Sequence, residues 1–422
     1  MTDRVKPTLR QALASRRMTA IVLLGFASGL PLNLTGSTLQ AWLADAGVDI
    51  RTIGIFSLAG IPYVLKFLWA PLLDRYLPPL LGRRRGWILI YQAALAVAIA
   101  VMGFGSPTKA PYWIGLMALG VAFLSASQDI VIDAYRVDVI PPDERALAAA
   151  ATGFGYRTAA MFAGAVIVMM AAYVGWRGAY AVVAAVMACT VLATLWSPEP
   201  VAPGRPPRTL RSAVVDPLRD LLGQPGAWGL ILLVLLYKVG DAFALSLYSA
   251  FMIKGVGVSL TELSIAGKVN MTVSTMLGTA VGGWIYLRWR LFRSLLIFGI
   301  AQAATILLYL WLALVGHKLW LVILATSIDN LAGGMGLAAF VAFLMAQCTT
   351  NYSATQYALL SALASIPRVL MGALAGSVVA AIGWANFFAV TFATALPGLV
   401  LLVLLRTRIR ALDMRERNAA KV

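Results

Sequence analysis

Long stretches without a single charged residue recur along the chain and limit what it can fold into. Examples are residues 19–44, 158–176, 330–367 and 369–405, and a membrane span needs about 20 such residues. Of the 422 residues, 61% are apolar and only 12% are charged, against roughly 25% charged in an average soluble domain. A soluble fold cannot hide that much apolar surface, so the sequence predicts an all-α integral membrane protein.

We predict twelve transmembrane helices from the positions and lengths of the apolar stretches. The stretches are too long and too continuous for β-barrel strands, which alternate over about 10 residues. The predicted helices are 19–44, 52–76, 87–106, 112–138, 145–173, 177–196, 226–253, 260–286, 294–315, 319–347, 354–381 and 385–405.

Lysine and arginine residues are distributed unequally over the predicted loops. With the amino terminus inside, 23 of the 34 basic residues fall in inner loops and termini, and only 5 fall in outer loops. Positive residues concentrate on the cytoplasmic side of a membrane, so we predict a multi-pass protein with both termini cytoplasmic. The net charge of +17 is then a topology signal next to lipid headgroups and not a nucleic-acid surface.

The two halves of the chain resemble each other at offsets of 200 to 211 residues. The turn GVDIRTIG before the second span matches GVSLTELS before the eighth, and VGWRGAYAV matches IGWANFFAV. SQD at 127–129 matches SID at 327–329, and Arg157 matches Arg368. Two parallel repeats of six helices resemble a major facilitator fold, with two pseudosymmetric six-helix bundles.

The repeat also predicts the domain boundaries. We expect an N-terminal six-helix bundle at 1–196 and a C-terminal six-helix bundle at 226–406. The stretch 197–225 between them is rich in Pro and Arg and has no apolar run, so it is predicted to be a cytoplasmic linker. Residues 407–422 form a predicted cytoplasmic tail.

The loop between the second and third predicted spans reads APLLDRYLPPLLGRRRG. It resembles the loop signature of major facilitators, although Ala70 replaces the first glycine and LPPLL is inserted. The resemblance implies a salt-bridged latch at the cytoplasmic side, with simple positive-inside anchoring as the alternative. The residues of this predicted cytoplasmic gate are Asp74, Arg75, Arg83, Arg84 and Arg85.

Ten charged residues fall inside the predicted spans, where each costs at least about 2.5–3.5 kcal/mol. Asp129, Asp133 and Arg136 occupy one face of the fourth span. Arg157 on the next span is a candidate partner of either aspartate. A carboxylate that alternates between a proton and a cation suits proton coupling, and a permanent ion pair is the alternative. The predicted proton-coupling residues are Asp129, Asp133, Arg136 and Arg157.

The six basic and four acidic residues inside the spans leave an excess of positive charge, which favours an anionic substrate. Amide and aromatic side chains beside them favour a sugar. Pro31 predicts a bend in the first span, and Asp329 is expected opposite Arg368 if the repeat holds. The predicted substrate-binding residues are Asn33, Gln40, Lys66, Gln128, Tyr135, Tyr156, Lys238, Asp241, Lys268, Asn270, Asp329, Asn330 and Arg368.

Three segments of the N-terminal half carry a more specific resemblance. GFASGLPLNLTGSTLQAWL at 25–43, LKFLWAPLLDRY at 65–76 and SASQDIVIDAYR at 125–136 resemble the AmpG family of muropeptide permeases. The resemblance implies import of anhydro-muropeptides (GlcNAc-anhydroMurNAc and its peptides) from periplasm to cytoplasm across the bacterial inner membrane. It also implies use of the proton gradient, a role in peptidoglycan recycling and an indirect link to β-lactamase induction.

Other protein classes lack their sequence signals in this chain. There is no phosphate-binding loop for an ATP-driven pump and no catalytic motif for an enzyme. The single histidine, His317, predicts no histidine-based metal site, and no cofactor is expected. The alternatives are a proton-driven exporter of drugs or other amphiphiles, or a carrier of another anionic conjugate. The expected partners are an anionic sugar-peptide substrate, protons and membrane lipids, and the expected state is a monomer.

Overall fold

The computed structural model is helical throughout, with no strand among the residues it describes. A chain with so few polar residues satisfies its backbone hydrogen bonds within helices, as the interior of a bilayer requires. The structure describes residues 15–76, 78, 81–140, 145–198, 219–224, 226–348 and 353–419.

The first half contains six helical spans. The run from residue 145 to Trp196 is continuous except at Gly175, where the backbone leaves the helical region. This break divides the run into two spans. The spans are α1 (Arg16–Asp45), α2 (Ile50–Leu68, continued by Ala70–Arg75), α3 (Arg83–Gly103), α4 (Pro111–Val139), α5 (145–174) and α6 (176–196).

The second half repeats this arrangement. The run Ser353–Leu404 has its own break at Gly383. A short basic helix follows the last span. The helices are α7 (Ala227–Val256), α8 (260–288), α9 (Leu291–Val315), α10 (Leu319–Ala346), α11 (353–382), α12 (384–404) and α13 (Arg406–Ala419).

The lengths of these helices fit the predicted number of spans. Nine stretches within the described residues are long and apolar enough to cross a membrane. Two of them, Ala151–Trp196 and Leu359–Leu404, have 46 residues each, about twice what one crossing needs. Counting each as two spans and including α8 gives the twelve spans predicted from the sequence.

The internal repeat appears in the backbone at two matched pairs of turns. Gly47 and Gly257 have φ angles of 79° and 83°, and the helices α2 and α8 begin directly after them. Gly175 and Gly383 have φ angles of 72° and 78° at the breaks within the two long runs. Only glycine adopts this left-handed backbone without strain, so the same residue recurs wherever the fold makes the same turn.

Side-chain caps start the helices that follow the first pair of turns. Asp49 accepts hydrogen bonds from the backbone N–H groups of Arg51 and Thr52 at 2.9 and 3.3 Å. Ser259 and Glu262 form a reciprocal capping box at the start of α8. Such caps satisfy backbone donors that a helix leaves unpaired at its amino end. The two sequences therefore differ in their capping residues but begin their helices in the same way.

The described residues form two compact units. One unit falls within Met1–Trp42 and Ala59–Pro206, and the other within Leu43–Leu58 and Pro207–Val422. The beginning of α2 therefore groups with the second unit, whereas the sequence placed it in the N-terminal bundle. Its contact there is close, since a Cβ atom at Gly54 would lie 2.8 Å from the carbonyl oxygen of Gly372.

Glycines spaced four residues apart let helices approach each other within each unit, as in other membrane proteins. A Cβ atom at Gly25 would lie 2.7 Å from the carbonyl oxygen of Thr152, and one at Gly29 would lie 2.6 Å from that of Tyr156. These contacts join α1 to α5. Backbone atoms line the contact, so a larger side chain can be accommodated only by moving a helix.

We expect Gly25→Val to lower the free energy of unfolding by about 1–3 kcal/mol, because the added carbons force α1 away from α5. The measurement is thermal unfolding of the purified protein in detergent. Gly120→Val is the matched control, because an added Cβ at Gly120 would meet no atom within 4 Å. Equal stability of the two variants would contradict the close packing of α1 and α5.

Candidate functional site

Asp129 is the centre of a polar cluster in the first unit. Its carboxylate accepts a hydrogen bond from the hydroxyl of Ser28 at 2.5 Å and lies 3.8 Å from the ammonium of Lys66. The three residues come from α4, α1 and α2. The Asp129 side chain is only 14% exposed, so the carboxylate depends on these neighbours for its solvation.

The position of Lys66 follows from breaks in α2 that the sequence did not predict. The helix tightens into 3₁₀ turns at Phe56–Gly60 and Lys66–Leu68. Just beyond the second turn, the indole N–H of Trp69 donates a hydrogen bond to the hydroxyl of Ser127 at 3.0 Å. This bond ties α2 to α4 beside Asp129 and holds Lys66 near the carboxylate.

Polar atoms beside Asp129 have no hydrogen-bond partner among the described residues. Gln128 is fully buried, and both its amide oxygen and its amide nitrogen lack a partner. The buried hydroxyls of Ser125 and Tyr63 also lack a partner. Buried polar groups are normally satisfied by protein or water, so this region is suited to polar ligands or to water.

Asp133 and Arg136 lie in different surroundings from Asp129. They form an ion pair of 3.3 Å within α4, and their side chains are 56% and 31% exposed. Arg157 is exposed and forms no ion pair with Asp129 or Asp133. The pairing of Arg157 with either aspartate, considered from the sequence, was therefore wrong, because Lys66 of α2 is the cation beside Asp129.

The predicted gate residues have separate roles in the structure. Arg84 of α3 forms a salt bridge of 2.7 Å with Asp138, which lies at the carboxyl end of α4. Both side chains are nearly buried. Arg85 donates hydrogen bonds to the carbonyl oxygens of Thr194 and Leu195 at the end of α6. The side chains of Asp74, Arg75 and Arg83 lie outside the described part of the structure.

The end of α6 is bound by a second arginine. Arg16, at the start of α1, donates two hydrogen bonds to the carbonyl oxygen of Trp196, at 2.8 and 2.5 Å. The last carbonyls of a helix have no partner within the helix and carry partial negative charge. The cations of Arg16 and Arg85 satisfy them, which fixes α6 against α1 and α3.

Other predicted substrate residues of the first unit are placed differently. Tyr135 is fully buried and donates its hydroxyl to the carbonyl of Pro198 at 2.7 Å, so it lies in the core and not on a binding surface. Asn33 and Gln40 are half-buried and flank a π-helical stretch, Leu34–Thr38, that follows the predicted bend at Pro31. Tyr156 is half-buried on α5.

Lys238 and Asp241 form the predicted pair in the second unit. Their charged atoms are 3.6 Å apart, and Lys238 also donates to the amide oxygen of Gln302 at 3.4 Å. Asp241 and Gln302 line a crevice between α7, α9 and α12. Of the ion pair, Asp241 lines the crevice and Lys238 does not, so the crevice presents the carboxylate of Asp241 and the amide of Gln302.

Asp329 is 3% exposed and lies in the interior of the second unit. Its carboxyl group contacts the hydroxyls of Thr305 at 2.6 Å and Tyr309 at 3.1 Å, both from α9. Arg368 is exposed and does not pair with it. The expected juxtaposition of Asp329 and Arg368 was wrong, because α9 supplies the neighbours of this carboxyl group.

The remaining predicted residues of the second unit form hydrogen bonds between helices. Lys268 is 7% exposed, and its ammonium donates to Ser249 at 2.9 Å. The amide of Asn270 donates to the carbonyl of Ile323 at 3.2 Å, and that of Asn330 accepts from Thr275 at 3.2 Å. The two asparagines therefore join α8 to α10, and their amides are already satisfied.

Arg157 and Arg368, which correspond to each other in the sequence repeat, share one property in the structure. Each is exposed on its own unit, and neither forms an ion pair or hydrogen bond with any described residue. An arginine at membrane depth without a partner needs compensation from water or from an anionic ligand. Its planar guanidinium suits carboxylates in particular.

Several residues of the site were missed from the sequence. Gln302, Thr305 and Tyr309 recur at spacings of three and four residues in a span with no charge, and this pattern places them on one face of α9. That polar stripe was a usable signal. Ser28 carried no such signal, because serine is common at close helix contacts in membranes.

Comparisons with known proteins agree with this architecture. The profile of the Major Facilitator Superfamily matches residues 21–370. The anhydromuropeptide permease of Escherichia coli (strain K12) is 47% identical over 391 residues, which cover 92% of this chain and 80% of that protein. Putative transporter AmpG 4 of Rickettsia conorii (strain ATCC VR-613 / Malish 7) is 32% identical over 403 residues, covering 93% and 97%.

Solved structures give the same fold. A bacterial homologue of the human lysosomal transporter Spinster, in an inward-facing and unoccupied conformation, superposes with a TM-score of 0.72. Its identity is 16%, over 95% of this chain and 98% of that chain, so the likeness concerns the fold alone.

The fold and the sequence profile define the class of this protein, a multi-pass membrane transporter and not an enzyme. The chain belongs to the major facilitator superfamily and, within it, to the AmpG family of anhydromuropeptide permeases.

The contrast between two ion pairs of α4 predicts different effects on stability. Asp138→Asn removes a nearly buried carboxylate from the salt bridge with Arg84, which we expect to cost about 3–5 kcal/mol. Asp133→Asn removes the exposed partner of Arg136 and is expected to cost less than about 1 kcal/mol. Thermal unfolding of both purified variants measures the difference. A loss of stability that is larger for Asp133→Asn would refute the assignment.

Proposed function

We propose that this chain imports anhydro-muropeptides across the bacterial inner membrane by symport with protons. The direction is from periplasm to cytoplasm, with both termini on the cytoplasmic side, and the transporter acts as a monomer by alternating access. The product would feed peptidoglycan recycling. The observation that carries the proposal is the 47% identity to the E. coli anhydromuropeptide permease over 92% of the chain.

The cluster around Asp129 supports proton coupling. Among the described side chains, its carboxylate accepts a hydrogen bond from Ser28 and has the cation of Lys66 at the long distance of 3.8 Å. A proton on Asp129 would neutralise the carboxylate and release Lys66 from the ion pair. Lys66 is 34% exposed, so the released ammonium is accessible to an anionic group of the substrate. Binding of a proton to Asp129 and binding of an anionic substrate group to Lys66 then favour each other.

The arginines Arg157 and Arg368 support an anionic substrate. Both are exposed and lack partners among the described residues, and both correspond to each other in the repeat. A muropeptide carries carboxylates on its peptide, and a guanidinium binds a carboxylate with two parallel hydrogen bonds. The buried amide of Gln128, which has no hydrogen-bond partner in the described part of the chain, would suit the hydroxyl and amide groups of the sugars.

The central experiment measures uptake of labelled anhydro-muropeptide by proteoliposomes, with and without an inward proton gradient. We expect the wild-type protein to accumulate the substrate only when the gradient is present. Asp129→Asn should lower the accumulation about tenfold for each pH unit of gradient, because one pH unit is worth 1.36 kcal/mol per proton. Exchange of substrate without a gradient should persist in this variant.

Asp133→Asn is the comparison variant for this experiment, because Asp133 is exposed and forms its ion pair with Arg136 of the same helix. If both aspartate variants accumulate substrate as the wild type does, coupling does not pass through this face of α4. If the wild type equilibrates the substrate without accumulating it, the protein is a carrier of muropeptides without proton coupling. If no muropeptide is taken up by the folded protein, the proposed substrate is wrong.

We also expect Arg157→Gln and Arg368→Gln to weaken binding of a muropeptide at least about tenfold, since each loses a charge-assisted contact. Binding of the same compound with its carboxylates amidated should change little. Equilibrium binding to the purified variants measures both affinities. Arg177→Gln is the matched control, because Arg177 is an exposed arginine that stacks on Phe104. Equal loss of affinity for both ligands would show that the arginines do not recognise carboxylates.

A further inference from the structure

The hydrogen bonds of Thr305 restrict the protonation state of Asp329. The Thr305 hydroxyl lies 2.7 Å from the carbonyl oxygen of Gln302 and 2.6 Å from Oδ1 of Asp329. A hydroxyl has one hydrogen to donate. If that hydrogen is donated to the carbonyl, the 2.6 Å contact needs a hydrogen from Asp329, which a carboxylic acid supplies and a carboxylate does not.

The surroundings of Asp329 lack a counter-ion. No lysine, arginine or histidine within the described parts of the chain lies at ion-pair distance from it, and the carboxyl group is 3% exposed. Among the described residues, its second oxygen contacts the hydroxyl of Tyr309. An isolated carboxylate is very costly in such a place, and a buried acid normally becomes neutral instead.

The repeat supplies an internal comparison. Asp129 and Asp329 end the matching motifs SQD and SID. Asp129 has Lys66 beside it at 3.8 Å, whereas the side chains of the described residues that contact Asp329 are the hydroxyls of Thr305 and Tyr309. Equivalent positions in the two halves therefore hold a carboxyl group in two different electrostatic environments.

The charged and titratable groups that face Asp329 come from the helices around it. From α7 these are Lys238, Asp241 and the phenol of Tyr248, and from α9 the phenol of Tyr309. Lys268 of α8 is directed to Ser249 and to the ring of Tyr248. Lys238 is bound to Asp241 and Gln302, so its charge is already balanced.

We propose that Asp329 is a second proton-carrying residue, held as the neutral acid in this conformation with its proton on Oδ1 directed to Thr305. The proton binds from one side of the membrane and leaves to the other during the transport cycle. When it leaves, Lys238 is a cation on the facing helix α7, and a shift of Lys238 from Asp241 towards Asp329 balances the new charge. Two protons then accompany each substrate, one on each unit.

The proposal rests on the proposed function. The accumulation limit, which is the highest ratio of internal to external substrate that the protein maintains, tests the two separately. With the membrane potential clamped at zero and an inward gradient of one pH unit, each coupled proton allows about tenfold accumulation. We expect about a hundredfold limit for the wild type and about tenfold for Asp329→Asn. The double variant Asp129→Asn with Asp329→Asn should only equilibrate the substrate.

A wild-type limit of about tenfold that Asp329→Asn leaves unchanged would overturn the second proton site and leave the proposed function standing. A wild type that does not accumulate the muropeptide would overturn the proposed function itself. Asparagine has the size of the neutral acid and donates a hydrogen bond to Thr305 in its place, so this variant preserves the packing around α9.

Infrared spectroscopy tests the protonation state without any transport. The purified wild-type protein at neutral pH should show the C=O band of a buried neutral carboxylic acid, and Asp329→Asn should lose it. Asp133→Asn is the matched control and should keep the band, because Asp133 is exposed and forms an ion pair with Arg136 in the first unit. Thr305→Val should shift the band, since it removes the hydrogen-bond partner. Absence of the band in the wild type would refute the neutral state.

Discussion

The cost of charge inside a membrane determines how this molecule uses its few polar residues. Each ionised side chain at membrane depth must find a partner or become neutral. The structure contains two such environments. Asp129 has a lysine beside it, whereas the described side chains that contact Asp329 carry hydroxyl groups. A transporter that works on protons needs carboxyl groups near this balance, because a small change of surroundings then moves the proton.

The duplicated architecture provides matching positions but leaves their chemistry free to diverge. The glycine turns at Gly47 and Gly257 are conserved between the halves in geometry. The helix caps that follow them use different residues, an aspartate in one half and a serine with a glutamate in the other. Backbone geometry is therefore repeated more strictly than side-chain chemistry, and the two units can carry different tasks on one plan.

Much of the fold could be predicted from the sequence because its causes are local. Span length follows from apolar runs, and the repeat was visible in short motifs such as SQD and SID. The pairings were harder to predict, since they depend on how helices rotate against one another. Lys66 lies near Asp129 because α2 contains 3₁₀ turns, and no sequence pattern predicted these turns. Tyr135, predicted at the substrate, is directed instead to the end of α6.

The arginines at the end of α6 have a consequence for the order of assembly. Arg16 and its acceptor on Trp196 are separated by 180 residues. The hydrogen bond between them can therefore form only after five further spans, α2 to α6, have been synthesised. All the groups involved belong to the first unit. These hydrogen bonds at the end of α6 can therefore form before the second half of the chain is translated.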